Sequence, residues 1–140
     1  MIPGSSLNPT QRIDVHSDTL QELFEAVGLQ VLLRFINPSE VGEALREKVV
    51  LEAARPETLL GQWVSTVIEF LHDQKMVFSN FKIDLKVDAN QHSTLTVEAL
   101  GELLDVQRHQ LSQDPAFVRC QSARLRKDSQ KYHAEIVLSK

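Results

Sequence analysis

The 140-residue chain is 42% hydrophobic and 24% charged, enough apolar material for one buried core but too little length for two. Its net charge of −4 excludes a generally cationic nucleic-acid binder, because neutralising phosphates requires a basic face. The single cysteine, Cys120, excludes an internal disulfide and any zinc knuckle built from paired cysteines.

The opening Met1-Ile2-Pro3-Gly4-Ser5-Ser6 lacks both the basic region and the apolar run of a signal peptide, and no stretch approaches 18 uninterrupted apolar residues. A cytoplasmic protein with no membrane association is expected. Residues 1–9 have the composition of a flexible terminus, and the chain, 1–140, is expected to form a single domain.

Ile13 and Val15 flank Asp14 in a short strand that ends at His16. Thr19 and Glu22 match a capping box, so a helix should start there. Its apolar set is Leu20, Leu23, Phe24, Val27, Val31, Leu32 and Phe35, with Gly28 a local weakness, and Asn37-Pro38 should stop it. Residues 39–47 show a helical turn at most. Val49, Leu51 and Ala53 alternate with Lys48, Val50 and Glu52, the pattern of a second strand.

Pro56 suits the first turn of the next helix. There Leu60, Trp63, Val64, Val67, Ile68 and Leu71 fall at offsets 0, 3, 4, 7, 8 and 11, one buried stripe. The period then changes. Phe81, Ile83, Leu85 and Val87 alternate with Lys82, Asp84, Lys86 and Asp88, a strand with one wet face. Asp88-Ala89-Asn90 supplies a turn, and Leu95, Val97 and Ala99 return as the second arm of a hairpin, which Gly101 should end. Residues 102–114 form a polar connection, a candidate working loop. Residues 117–125 and 132–138 read as two closing strands. The expected fold class is α+β: a two-layer domain with a mainly antiparallel sheet of about six strands and two helices packed on one face.

Three stretches taken together resemble the archease family. The first is Leu59-Leu60-Gly61-Gln62-Trp63-Val64 with Glu69-Phe70-Leu71 and Met76-Val77-Phe78-Ser79-Asn80-Phe81. The second is Gly101-Glu102-Leu103-Leu104-Asp105 followed by Arg108-His109-Gln110-Leu111. The third is Asp18-Thr19-Leu20-Gln21-Glu22-Leu23-Phe24. The resemblance runs from about residue 13 to the C-terminus. It implies a small non-enzymatic accessory protein of the GTP-dependent RNA ligase used in tRNA splicing and RNA repair, one that promotes guanylylation of the ligase. It also implies a divalent cation such as Ca²⁺, held by two aspartates and the chain's end.

This chain departs from that pattern at the cation. The family's aspartate positions align with Thr10 and Ser139, and the Thr-Tyr-His segment of the penultimate strand aligns with Gln121-Ser122-Ala123. Losing two carboxylates removes most of a hard cation's attraction, so the expectation is a diverged form that uses no cofactor and has no family metal site. The expected partner is a protein, with a GTP-dependent RNA ligase first in view and no direct nucleic-acid binding.

Glu102, Asp105, Arg108 and His109 are the candidate partner-binding residues, because they lie in the matched connection and combine a carboxylate with phosphate-binding or carboxylate-binding groups. No catalytic residue is expected: there is no phosphate-cradling glycine loop, nucleophile elbow or paired-carboxylate motif. Cys120 reads as a buried small residue. His16, His72, His92 and His133 show no ligand spacing, and Arg119, Arg124, Arg126, Lys127 and Lys131 read as a solvated basic face. The alternative functions are an interaction or chaperone-like module with another partner, and a pocket joining Trp63, Cys120 and His109.

Overall fold

A computed structural model describes residues 10–105 and 107–140; the expected flexible terminus, 1–9, lies outside the described residues. The chain order is strand β1 (Thr10–Ser17), helix α1 (Leu20–Leu33), strand β2 (Leu45–Ala53), helix α2 (Pro56–His72), then strands β3 (Met76–Val87), β4 (Ser93–Leu103), β5 (Arg119–Lys127) and β6 (Tyr132–Ser139).

The α+β class, the six strands and the two helices are as expected, and every pairing is antiparallel. The strands are divided, however, between two sheets of three, ordered β1-β6-β5 and β2-β4-β3. Each helix packs on strands of both sheets, α1 against β1 and β3 and α2 against β5 and β2. The helices therefore bridge the sheets, in place of covering one face of a single sheet.

Each helix also closes an open sheet edge. Gln21 of α1 accepts a hydrogen bond from the Leu85 amide at 3.0 Å, and Glu57 of α2 accepts one from the Leu125 amide at 3.0 Å. Since β3 and β5 are edge strands, these side chains satisfy donors that would otherwise invite another strand.

Local chemistry sets the ends of α1. The Glu22 amide donates to Thr19 Oγ1 at 3.1 Å and the Thr19 hydroxyl donates to Glu22 at 2.9 Å. The helix stops at Leu33, and a short turn (Pro38–Glu40) capped by Asn37 follows. The stripe on α2 is buried in full, together with Leu59 and Phe70; each such side chain contributes about 1.5–3 kcal/mol over leaving it exposed.

At the seam between the helices, the Trp63 indole N–H donates to the Phe24 carbonyl at 2.9 Å. Gly28 makes this contact possible. A Cβ at that position would stand 2.7 Å from the Trp63 ring, so the expected weak point of α1 is the seat of the indole. The ring meets Phe81 edge-on at 5.1 Å, a favoured aromatic geometry.

Several boundaries differ from expectation, among them that of β3, which starts at Met76 and not at Phe81. Strand β2 starts at Leu45, ahead of its alternating part. Strand β4 runs through Gly101 to Leu103, because pairing with Met76 and Val77 continues past the glycine. Phe117 belongs to a short turn (Pro115–Phe117) capped by Asp114, and β5 starts only at Arg119; with no strand partner, Phe117 is left 68% exposed.

Candidate functional site

The site begins at a β-bulge. The β3–β4 register shifts between Phe78 and Asn80, which brings the Val77 carbonyl so near Gly101 that a Cβ there would lie 2.0 Å from the oxygen. Glycine is required for this close approach. The bulge sets the exit of β4 and so the placement of Glu102.

One carboxylate oxygen, Glu102 Oε2, then gathers three donors: the Gly42 amide at 2.8 Å, His109 Nε2 at 2.8 Å and the Arg108 guanidinium. The loop closes on itself. The His109 amide donates to the Asp105 carbonyl at 2.7 Å, the Asp105 amide donates to His109 Nδ1 at 2.9 Å, and the Gln107 amide donates to the Asp105 carboxylate at 3.0 Å.

These bonds assign the ring. Because Nδ1 accepts from an amide it carries the lone pair, and Nε2 carries the proton given to Glu102. The Gly42 amide, then the His109 side chain, with the Arg108 charge adding, hold the Glu102 carboxyl below its usual range against the opposing effect of burial.

Exposure separates the roles. The side chain of His109 is 0% exposed and that of Glu102 13%, whereas Arg108 is 58% exposed. All four predicted residues converge, but His109 does not reach the surface. Its place is inside the anchor, and Arg108 is the charged group the anchor presents. A fully engaged carboxylate oxygen and an imidazole with both nitrogens bonded are poorly disposed for proton transfer, so the arrangement suits positioning. Gly42 was not legible as a member, since its contact with Glu102 spans 60 residues and leaves no local pattern.

Thr10 and Ser139 are direct partners across β1 and β6, and Arg119 pairs with Ser139 from β5. The row therefore reads hydroxyl, hydroxyl, guanidinium. That donor set does not fit a hard divalent cation, which needs anionic oxygens, and among the described residues no three His, Cys, Asp or Glu side chains converge to hold a metal.

Trp63, Cys120 and His109 do not share a pocket, contrary to the third expectation. Trp63 is sealed between the helices, His109 lies behind Glu102, and Cys120 lines a separate groove between β5 and α2 with Gly61, Ser65 and Ala123. Burial pushes the Cys120 thiol up, which disfavours a reactive thiolate. Some charges of the basic hairpin are engaged locally: Lys127 sits over the Tyr132 ring at 5.0 Å and Lys131 meets Asp18 at 3.4 Å.

Fold and site together define a small α+β domain whose polar centre gathers the Gly42 amide, Arg108 and His109 on one Glu102 carboxylate oxygen. The sequence profile of the archease protein family matches residues 11–138. The chain is 21% identical over 127 residues to Protein archease of Methanosarcina barkeri, covering 91% of this chain and 87% of that one. It is 28% identical over 96 residues to Protein archease of Pyrococcus furiosus, covering 68% and 66%. The solution structure of Methanobacterium thermoautotrophicum protein 1598 superposes with a TM-score of 0.74 at 19% identity, covering 94% of this chain and 92% of that one, which shows a shared fold. The chain belongs to the archease family.

Proposed function

We propose that this protein is a non-enzymatic accessory of a GTP-dependent RNA ligase acting in tRNA splicing or RNA repair, and that it docks on its partner through the connection that follows β4. The observation that carries this reading is Arg108: an exposed guanidinium fixed from behind by the nearly buried Glu102, itself held by the buried His109. A pre-positioned arginine loses little entropy on meeting a carboxylate or phosphate, and its fork binds either one in two places. Glu102 and His109 act as positioning residues, and Asp105 holds the turn. With hydroxyls at Thr10 and Ser139, the protein works without the family's cation, in the cytoplasm.

The test is the rate of guanylylation of the ligase from the same genome, with GTP and Mg²⁺ or Mn²⁺, with and without this protein. Acceleration that is lost in Arg108→Ala and kept in Lys86→Ala, an exposed charge at the far end of β3, supports the reading. Absence of both acceleration and complex formation overturns it.

A further inference from the structure

The sheet edges are treated unequally. Gln21 and Glu57 reach the edges of β3 and β5, whereas among the described residues β2 pairs with β4 alone, along its whole length and without a register shift. The outer edge of β2 therefore presents a row of backbone amides and carbonyls, the template on which a further strand adds. Strand β1 also lies at an edge, but its charged residues Arg12 and Asp14 already bind each other.

Two features of β2 say what pairs there. The first is a groove. Val49 and Leu51 stand opposite the buried Val97 and Leu95 on the core face, yet are only half-buried themselves, and with Thr66, Glu69 and Phe70 of α2 they line a groove of about 280 Å³. The second is the sequence of the strand. Lys48, Val50 and Glu52 alternate onto the outer face, where Val50 is 55% exposed. An antiparallel copy centred on Val50 sets that valine against its own equivalent, Lys48 against Glu52 on both sides of the centre, and Val49 against Leu51 on the groove side. Glu47 falls opposite Ala53, so no like charges meet. Centring on Val49 is poorer: Lys48 faces Val50, Glu47 faces Leu51, and the one match, Arg46 with Glu52, draws on an arginine that already meets Glu98 at 3.6 Å. A lysine on an edge strand ordinarily repels pairing, but here its counter-charge is built into the same strand.

We propose that two copies of this chain associate edge to edge through β2, antiparallel and centred on Val50, so that their β2-β4-β3 sheets join into one sheet of six strands. A two-fold axis through Val50 makes the contact isologous and closed, and assembly stops at a dimer. Cross-strand pairs of opposite charge and of β-branched residues favour it, and covering Val50 and the groove removes apolar surface from water. An interface one strand wide lies at the small end of the range, so the dimer is concentration-dependent.

Analytical ultracentrifugation of the full chain over about 5–500 μM, a range that brackets a micromolar dimer, should show the monomer giving way to a species of twice its mass. Lys48→Glu places a carboxylate opposite Glu52 twice, and Glu52→Lys places an ammonium opposite Lys48 twice. Each should weaken the dimer about tenfold or more while leaving the circular dichroism unchanged. Mixing the two variants should restore association as a heterodimer, because each edge then meets the opposite charge, and the double variant should pair with itself. A chain that stays monomeric over the whole range overturns the proposal, whether or not the strand of another protein adds at this edge. A dimer unaffected by both substitutions overturns the β2 contact, and one that is weakened by them but not restored by mixing overturns the register centred on Val50.

Discussion

The two sheets carry their polar side chains in opposite ways. In β2-β4-β3 the chemistry is concentrated at the exit of one strand, where Glu102 is nearly buried and its Oε2 is saturated with donors. In β1-β6-β5 it is spread over an outer face as rows of cross-strand neighbours, with Arg12, Asp14 and Glu135 exchanging exposed ion pairs. A buried polar group must be satisfied in full, so its partners are fixed as a set. An exposed ladder has water as an alternative partner, so its members can be exchanged at little cost.

Substitutions should break the two regions by very different amounts. The largest effect is expected from Gly101→Ala, where the added methyl meets the Val77 backbone carbonyl and no side chain can yield. Urea denaturation should show a loss of about 4 kcal/mol or more, in the tail reserved for strain and overpacking.

His109→Ala should follow, at about 2–3 kcal/mol, because it opens a cavity where a fully buried ring stood and strips the part-buried Asp105 amide and the Glu102 carboxylate of a partner. Gly28→Ala should cost about 1–2 kcal/mol. The gain in helix propensity is roughly 1 kcal/mol, and displacing the packed Trp63 ring outweighs it. At the other end of the range, Arg12→Ala on the open ladder should leave stability within about 0.5 kcal/mol. A cost comparable to that of His109→Ala would erase the contrast between the sheets.

Acid sharpens the comparison through Glu102. Its folded-state pKa lies below the usual value of 4.5, so the unfolded chain takes up the proton first. The stabilisation is therefore complete above about pH 4.5 and is lost as pH falls towards the folded-state value. Stability measured from pH 7 down to pH 3 should fall more steeply in the unaltered protein than in Glu102→Gln, and the two curves should converge in acid. Parallel curves would show that the carboxylate is not held as described.

Much of this fold was legible from period alone. The six apolar positions of the α2 stripe are all buried, the Thr19–Glu22 cap forms, and residues 81–99 make the expected hairpin. What alternation cannot encode is which strands become neighbours, and the division into two sheets was missed for that reason. The same limit hid the contact between Gly42 and Glu102, which are 60 residues apart.

Gly101 read as a strand terminus because glycine commonly ends strands; its actual task, accepting a carbonyl at close range, depends on the partner strand. Phe117 read as a strand residue by its apolarity, while Asp114-Pro115 dictated a turn. The four candidate residues Glu102, Asp105, Arg108 and His109 lie in one stretch of sequence. Their division into anchor and presented group was not legible there, because burial of His109 depends on Gly42 and β4, which are distant in the chain.

The seat of the indole on Gly28 also makes the protein its own optical probe. Trp63 is the one tryptophan in the chain, 1% exposed and hydrogen-bonded to the neighbouring helix, so its emission should be blue-shifted while α1 and α2 are in register and move to the red when they part. Because the Arg108 guanidinium is exposed while the indole is sealed, partner binding that keeps the helices in register should leave the signal still. A change in tryptophan fluorescence then reports separation of the helices, and a silent spectrum during binding shows that the core has not moved.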